Sequence, residues 1–254
     1  MIRIQSMYIA PVKSLGLAPI DRAFLDKPGI AGDRAFFIID DQGAMFSQRS
    51  FGPLVQIRTS FDADSGHLAL SFPDGSTVAG VPKVGASLDG SFFGVRDVDG
   101  RMVEGEWNEA LSTFAGQPLR LIKADSAGTS FDALPISMCS SASLEALAHA
   151  AKTDSVDERR FRQNIYIEGA SAHEEDTWID ADVRIGAALL RVKMRDERCA
   201  ITTLNPDTGE VDMNTLKIIT SYRTDQPKQV NFGVYCTVAE PGEIAVGDAV
   251  APVT

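Results

Sequence analysis

Ala35-Phe36-Phe37-Ile38-Ile39-Asp40-Asp41-Gln42-Gly43-Ala44-Met45-Phe46 is the stretch that sets the fold class. A short apolar run ends at Asp40, a turn of Asp, Gln and Gly follows, and apolar residues resume. Two strand-forming runs around a glycine turn predict a β-hairpin. Downstream, Val55 to Ser60 and His67 to Phe72 bracket Asp62-Ala63-Asp64-Ser65-Gly66, which predicts a second hairpin. Val78 follows another turn, Pro73-Asp74-Gly75. Upstream, residues 1–9 read as a first strand that Pro11 breaks. Strands at such close spacing predict a barrel or a sandwich.

The pattern changes near residue 105. Trp107, Ala110, Leu111 and Phe114 fall at helical spacing, and Gly116 stops the run. Leu119 to Lys123 reads as a strand. A second helix is predicted from Ser141 or Ser143, because a serine start satisfies free backbone N–H groups. The charged run Asp157 to Arg162 leads into a strand from Asn164 to Glu168. Beyond Ile185 strands dominate, at Ala188–Met194, Gly233–Val238 and Glu243–Val246, with a turn at Asn205-Pro206-Asp207-Thr208-Gly209. Small residues cluster near 116–130, so the expected organisation is an α+β, mainly β chain in two parts, residues 1–122 and 123–254.

Composition narrows the function. The formal charge of −11 repels nucleic acid and anionic membranes, so neither is an expected partner. Three cysteines (Cys139, Cys199 and Cys236) without paired spacing argue against a disulfide framework and against a zinc site. They are also too few for an iron–sulfur cluster. The glycine loops GxGxxG and GxxxxGK[ST] are absent, so no nucleotide site is expected. His67, His149 and His173 are scattered and form no catalytic signature with Ser or Cys. Met1-Ile2-Arg3-Ile4 does not open a signal peptide, and no apolar run has transmembrane length, which fits a reducing cytoplasm.

Cys199 is the sharpest feature, in Arg198-Cys199-Ala200-Ile201-Thr202-Thr203. A lone cysteine is usually a small core hydrophobe. Here Arg195 and Arg198 would favour thiolate, a soft ligand for a soft metal, and Thr202 and Thr203 offer hydroxyls. Cys236 alternates with apolar residues and reads as packing, while Cys139 stays open. Lys13 and Ser14 follow the first strand in Pro11-Val12-Lys13-Ser14, and Arg34 and Arg49 flank the first hairpin. Each could grip a phosphate or stand in solvent. Arg162 and Asn164, two apart at a strand start, would face one side as a polar pair or as an exposed edge.

Taken together these segments resemble the MOSC family, the domain at the C-terminus of molybdenum-cofactor sulfurases, and within it the amidoxime-reducing branch with an N-terminal β-barrel domain. The matching segments are Tyr8 to Ser14, Gly32-Asp33-Arg34, Gln42-Gly43 leading to Arg49, Phe161 to Ile165, Asp176-Thr177-Trp178, Arg198 to Gly209, Phe232 to Tyr235, Pro241-Gly242 and Val246-Gly247-Asp248. The resemblance implies an N-terminal β-barrel-like domain followed by a MOSC β-barrel with a few helices. It implies that Cys199 ligates molybdenum, with Arg198 beside the metal. Lys13, Ser14 and Arg49 would hold the pterin phosphate. Arg162 and Asn164 would contact the pterin, with Ser140 or Ser141 and Thr202 nearby. The implied reaction is reduction of small N-hydroxylated compounds, with electrons from a separate ferredoxin-, flavin- or cytochrome-type protein, since no fused ferredoxin-like domain precedes Thr254. Two other roles stay open: sulfur transfer through a Cys199 persulfide, and cofactor carriage without turnover. One departure from the family pattern is Asp196-Glu197 before Arg198, where reducing relatives often have small residues.

Overall fold

Ile4, Met7 and Ile9 are buried along the strand Ile2–Ile9, while its other side chains are at least partly exposed. A strand with one apolar face needs a sheet to close over it. The closure comes from the far end of the chain. In the computed structural model, which describes residues 1–88, 90–92, 94–224 and 229–253, a closed seven-stranded barrel forms. Its order is Ile2–Ile9, Ile165–Glu168, Ile136–Ser140, Asn231–Glu240, Ala188–Glu197, Asp182–Ile185 and Ala249–Val253, which pairs back to Ile2–Ile9. The barrel interior holds Ile4, Met138, Ile167, Val192 and Val234. Strands make up 42% of the protein against 19% helix, so it is mainly β as expected.

One pair in the barrel is parallel, Ile136–Ser140 with Ile165–Glu168. A parallel pair requires a long crossover, and helix α2 (Ser141–Ala151) supplies it. Ser140 caps this helix by accepting from Ala142 N–H, so the helix starts where the serines predict. Phe161 and Phe232 stack at 4.2 Å beneath α2 and close a second core with Leu147 and Tyr166.

The first half of the chain builds its own core. Phe36–Asp40 pairs with Leu119–Ala124, which pairs with Gly100–Glu104 and through it with Lys83–Ser87. The run quoted above is unbroken apolar because both its faces are buried: Phe36 and Ile38 enter one core, Phe37 and Ile39 another. The expected return at Met45 is one bridge to Ile39. The second hairpin forms at Arg58–Asp62 and His67–Ser71, but Val55 belongs to a 3-10 turn, Gly52–Gln56, that Pro53 opens. A helix α1 (Glu106–Ala115) ends at the left-handed Gly116. Among the described residues no helix is long and apolar enough to cross a membrane.

Strand signals at the C-terminal end hid one helix. Thr215–Tyr222 (α3) is rich in β-branched residues, yet the Asn214 side chain caps it by accepting from Lys217 N–H. Cap chemistry outweighs the weak propensity penalty of Thr and Ile.

The turn 205–209 joins the two halves. Asn205 Oδ1 accepts from Asp207 and Thr208 N–H, and Gln56 Nε2 donates to the Thr208 carbonyl at 2.9 Å. Gly209 lies at φ 78°, with no room for a Cβ against the Gly52 backbone. Gly209→Ala therefore meets both a left-handed backbone, a cost of about 1–2 kcal/mol, and a backbone clash. Gly75, at φ 89° with nothing near it, carries only the first cost. Urea unfolding is expected to show a clearly larger loss for Gly209→Ala than for Gly75→Ala. Equal losses would remove the seam contact from this account.

Candidate cofactor site

Five of the segments that reach one cleft, where the barrel end meets the first half of the chain, carry its cations and its thiol. Their side chains enclose about 270 Å³ and include Lys13, Arg34, Arg49, Arg162, Arg198 and Cys199. A wider cavity of about 870 Å³ shares the Arg162 wall and extends between Val55 and Pro206.

Lys13 and Ser14 leave the first strand just after Val12 bridges to Phe36, and Ser14 takes a left-handed backbone, φ 75°. Lys13 is buried. Its Nζ donates to the Ser130 carbonyl at 2.9 Å and pairs with Asp132 at 2.8 Å. Burial lowers its pKa, the Asp132 carboxylate opposes this, and Arg34 adds to the lowering. Arg34 is also left-handed, φ 52°; it pairs with Asp33 and donates to the Arg162 carbonyl. Arg198 pairs with Asp196, donates to the Phe161 carbonyl and lies over the Phe161 ring.

Arg162 differs from these three. It follows the 3-10 turn Glu158–Phe161 at φ 54°, and its Nη2 donates to the Leu15 carbonyl at 2.8 Å. Among the described residues it has no ion-pair partner. Burial and the neighbouring Arg34 push its pKa down to about 10. Lys13, Arg34 and Arg198 each form an ion pair with a carboxylate; among the described residues Arg162 forms none, and Asp132 and Asp33 favour its cation without pairing with it. An anion is the natural complement.

Cys199 completes the set. Cys139 and Cys236 are fully buried, and burial drives both thiols up, Cys236 to about 12. Cys199 is half-buried, unpaired in any disulfide, and lines the cleft. Thr202 Oγ1 donates to the Cys199 carbonyl and meets Thr215 Oγ1 at 2.6 Å, which ties the cysteine turn to α3.

The remaining sequence candidates stand outside the cleft lining. Ser140 caps α2, and Ser141 is the first residue of that helix. Thr202 is fully buried behind Cys199. Asn164 is buried and knits three strands: it accepts from Ser137 N–H at 3.1 Å and donates to Tyr8 O and Asp33 Oδ2. The expected shared face of Arg162 and Asn164 fails because Arg162 precedes the strand, so alternation does not reach it. Arg195 pairs with Asp176 in a separate cavity with His173 and Tyr222, and does not join Arg198 in the cleft lining. Sequence reasoning missed Asp132, Ser47, Ser137 and Tyr235. Asp132 lies just past the small-residue stretch at 116–130, and no local signal marked it.

Family models match almost the whole chain: the MOSC N-terminal beta barrel domain over residues 1–117 and the MOSC domain over 125–251. This is a MOSC family protein. It is 30% identical to mitochondrial amidoxime-reducing component 1 of Xenopus laevis, over 99% of this chain and 82% of the relative. The human component 1 is 28% identical, over 97% of this chain and 82% of the relative. Among solved structures, the YUAD protein of Bacillus subtilis aligns with a TM-score of 0.46 at 16% identity, over 98% of this chain and 94% of that one. Membership in the MOSC family implies a molybdenum cofactor.

The residues of this MOSC protein fit such a group. Cys199, a soft sulfur donor, and Arg162, a guanidinium without an ion pair among the described residues, line the same cleft. Arg198 Nε and Asp196 Oδ1 are buried without hydrogen-bond partners. Inorganic phosphate or pyrophosphate is therefore expected to raise the melting temperature of the cofactor-free protein in a saturable way. Anion at a hundred times its Kd adds about 2.7 kcal/mol. Arg162→Leu is expected to abolish most of that gain, and Lys13→Ala with Arg49→Ala to reduce it. An unchanged gain in Arg162→Leu would show that phosphate binds elsewhere.

Proposed function

We propose that this MOSC protein is a molybdenum-cofactor-dependent oxidoreductase that reduces small N-hydroxylated compounds, with electrons from a separate carrier protein. The observation that carries the reading is the convergence of the one accessible thiol and an unpaired guanidinium in a single cleft.

When bound, the cofactor supplies a two-electron redox centre. The protein supplies attachment and orientation. Cys199 would be the thiolate ligand to the metal. Arg162, Lys13, Arg34 and Arg49 would hold the phosphate, and Ser14 and Ser47 offer hydroxyls beside them. Asn164, Asp33 and Ser137 fix the loops that carry these cations, so their contribution is position. The naming of the relatives as amidoxime-reducing components supports an N–O substrate. The proposed setting is the cytoplasm, and the expected partners are a small-molecule substrate and a ferredoxin-, flavin- or cytochrome-type donor.

Sulfur transfer through a Cys199 persulfide needs an accessible thiol, which is present, but gives no role to a cluster of buried cations. Cofactor carriage explains the cations and leaves turnover as the difference. Three measurements separate the readings on protein from a cofactor-competent host. Elemental analysis is expected to give molybdenum near one per chain, and Cys199→Ala close to none, with part of the pterin retained through the phosphate grip. Reduction of benzamidoxime-type or hydroxylamine substrates with an artificial electron donor is expected for wild type only. Full activity in Cys199→Ala would refute the ligand assignment. A persulfide mass on Cys199 in protein without molybdenum would favour sulfur transfer.

A further inference from the structure

The strand Ala188–Glu197 delivers two side chains to the cleft that the cofactor grip does not use, Asp196 and Glu197. Asp196 is 1% exposed and lines the cavity beside Arg198 and Cys199. Its Oδ2 accepts from Gln163 Nε2 at 3.1 Å and from Arg198 Nη1. Among the described residues its Oδ1 has no hydrogen-bond partner. Gln163 is held in turn by donating to the Phe232 carbonyl at 3.2 Å. The carboxyl is thus fixed by one oxygen while the other is left without a partner in the cavity wall. A buried polar atom left idle is costly, and a ligand donor would satisfy it.

The cleft holds other carboxylates, and they differ in ways that matter. Glu197 is exposed. Asp132 is 58% exposed at its side chain and tied to Lys13. Burial alone would raise Asp132, but the Lys13 ammonium holds it below the ordinary carboxyl range, so it stays ionised. The groups acting on Asp196 are Arg198 and Gln163, which favour its anion, and Asp132, which opposes it. Tyr235 shares the cavity and feels the Asp196 charge. Burial outweighs the rest and raises the Asp196 carboxyl to about 6.

Resting on the reductase reading above, we propose that Asp196 is a catalytic acid of this cleft: its free Oδ1 contacts the N-hydroxyl group of the substrate and hands a proton to the departing oxygen. The balance is R–NH–OH plus two electrons and two protons giving R–NH2 and water. The N–O bond breaks and the oxygen leaves as water. One proton comes from the Asp196 carboxyl and the other from solvent. The electrons come from the carrier protein by way of the cofactor. Water in the cleft reprotonates Asp196.

Asp196→Asn keeps the shape and the contact with Gln163 but carries no acidic proton. It is expected to retain wild-type molybdenum and pterin content. Its kcat is expected to fall by about 100-fold or more, the range for a general acid, with KM changed only a few-fold. Wild-type kcat is expected to decline as pH rises through about 6, and the Asn variant to lose that limb. In Asp196→Ala, added formate is expected to restore rate, which a merely structural role would not allow. The cofactor-free protein gives an independent readout. A carboxyl whose folded pKa lies above its unfolded value stabilises most below the unfolded value, and the gain is lost as pH rises through the folded one. The stability of wild type relative to Asp196→Asn is therefore expected to decrease between about pH 4 and pH 7. Wild-type kcat with an unchanged pH limb in Asp196→Asn would overturn the proposal, as would loss of molybdenum from that variant together with no formate rescue of Asp196→Ala. Molybdenum-loaded wild type inert toward every N–O substrate would overturn the reductase reading instead, and the cofactor-free pH titration would still show whether Asp196 ionises near 6.

Discussion

Placing several cations side by side in one largely buried cleft is the constraint on which the rest of this protein depends. Lys13, Arg34, Arg162 and Arg198 come from four separate places in the chain and meet in one cavity. Their repulsion has to be offset, and burial makes each charge more expensive. The offsets are specific: Asp132 for Lys13, Asp33 for Arg34 and Asp196 for Arg198. Asp33 does more than neutralise. It accepts from Ala10 N–H and Asn164 Nδ2, so the same carboxylate that balances Arg34 also fixes the end of the first strand. Barrel closure by Ile2–Ile9 is thus tied to site assembly, because that strand carries Lys13 to the barrel end where Arg198 waits.

The backbone shows the same cost. Ser14, Arg34 and Arg162 are cleft residues with positive φ, three of the six non-glycine cases among the described residues. Left-handed backbone at an ordinary residue costs about 1–2 kcal/mol. Its concentration here matches the tendency of strain to collect where side chains must be aimed. Arg162 would sit in register with Asn164 if the strand began earlier. The left-handed turn instead swings it into the cleft and leaves Asn164 between strands as a fastener.

Much of the architecture was legible because burial writes periodicity into sequence. The first strand and the helix before Gly116 read correctly for that reason, and the serine start of α2 because capping favours a hydroxyl there. Cys199, Lys13, Ser14, Arg34, Arg49 and Arg162 were legible as site candidates because they combine charge or sulfur with matching family segments, and the structure brings them to one cleft. What sequence could not show was pairing across distance. Ile2–Ile9 closing a barrel with Ala249–Val253 leaves no local trace, nor does Asp132 reaching Lys13. Arg195 read as a neighbour of Cys199 because it is close in sequence, but it pairs with Asp176 in another cavity. Helix α3 was hidden because Thr and Ile mimic a strand, and its capping Asn214 is a single-residue signal.

Net charge and local charge have opposite signs in this molecule, and the difference carries weight. The chain as a whole is at −11, so at long range it repels anions, including the phosphate ligand proposed for its cationic cleft. Long-range fields are screened within about 8 Å at physiological ionic strength. Inside the cleft, low-dielectric walls strengthen the short-range pull of Arg162 and its neighbours. Selection therefore falls to close contacts: a fork-shaped guanidinium outside any ion pair among the described residues, and a sulfur lining the same cleft. An arbitrary polyanion gains from the first of these and is repelled by the surface, whereas a compact ligand that carries both a phosphate and a thiophilic centre gains from both. Neither the thiol nor the cations alone would make that distinction; it follows from their placement in one cleft.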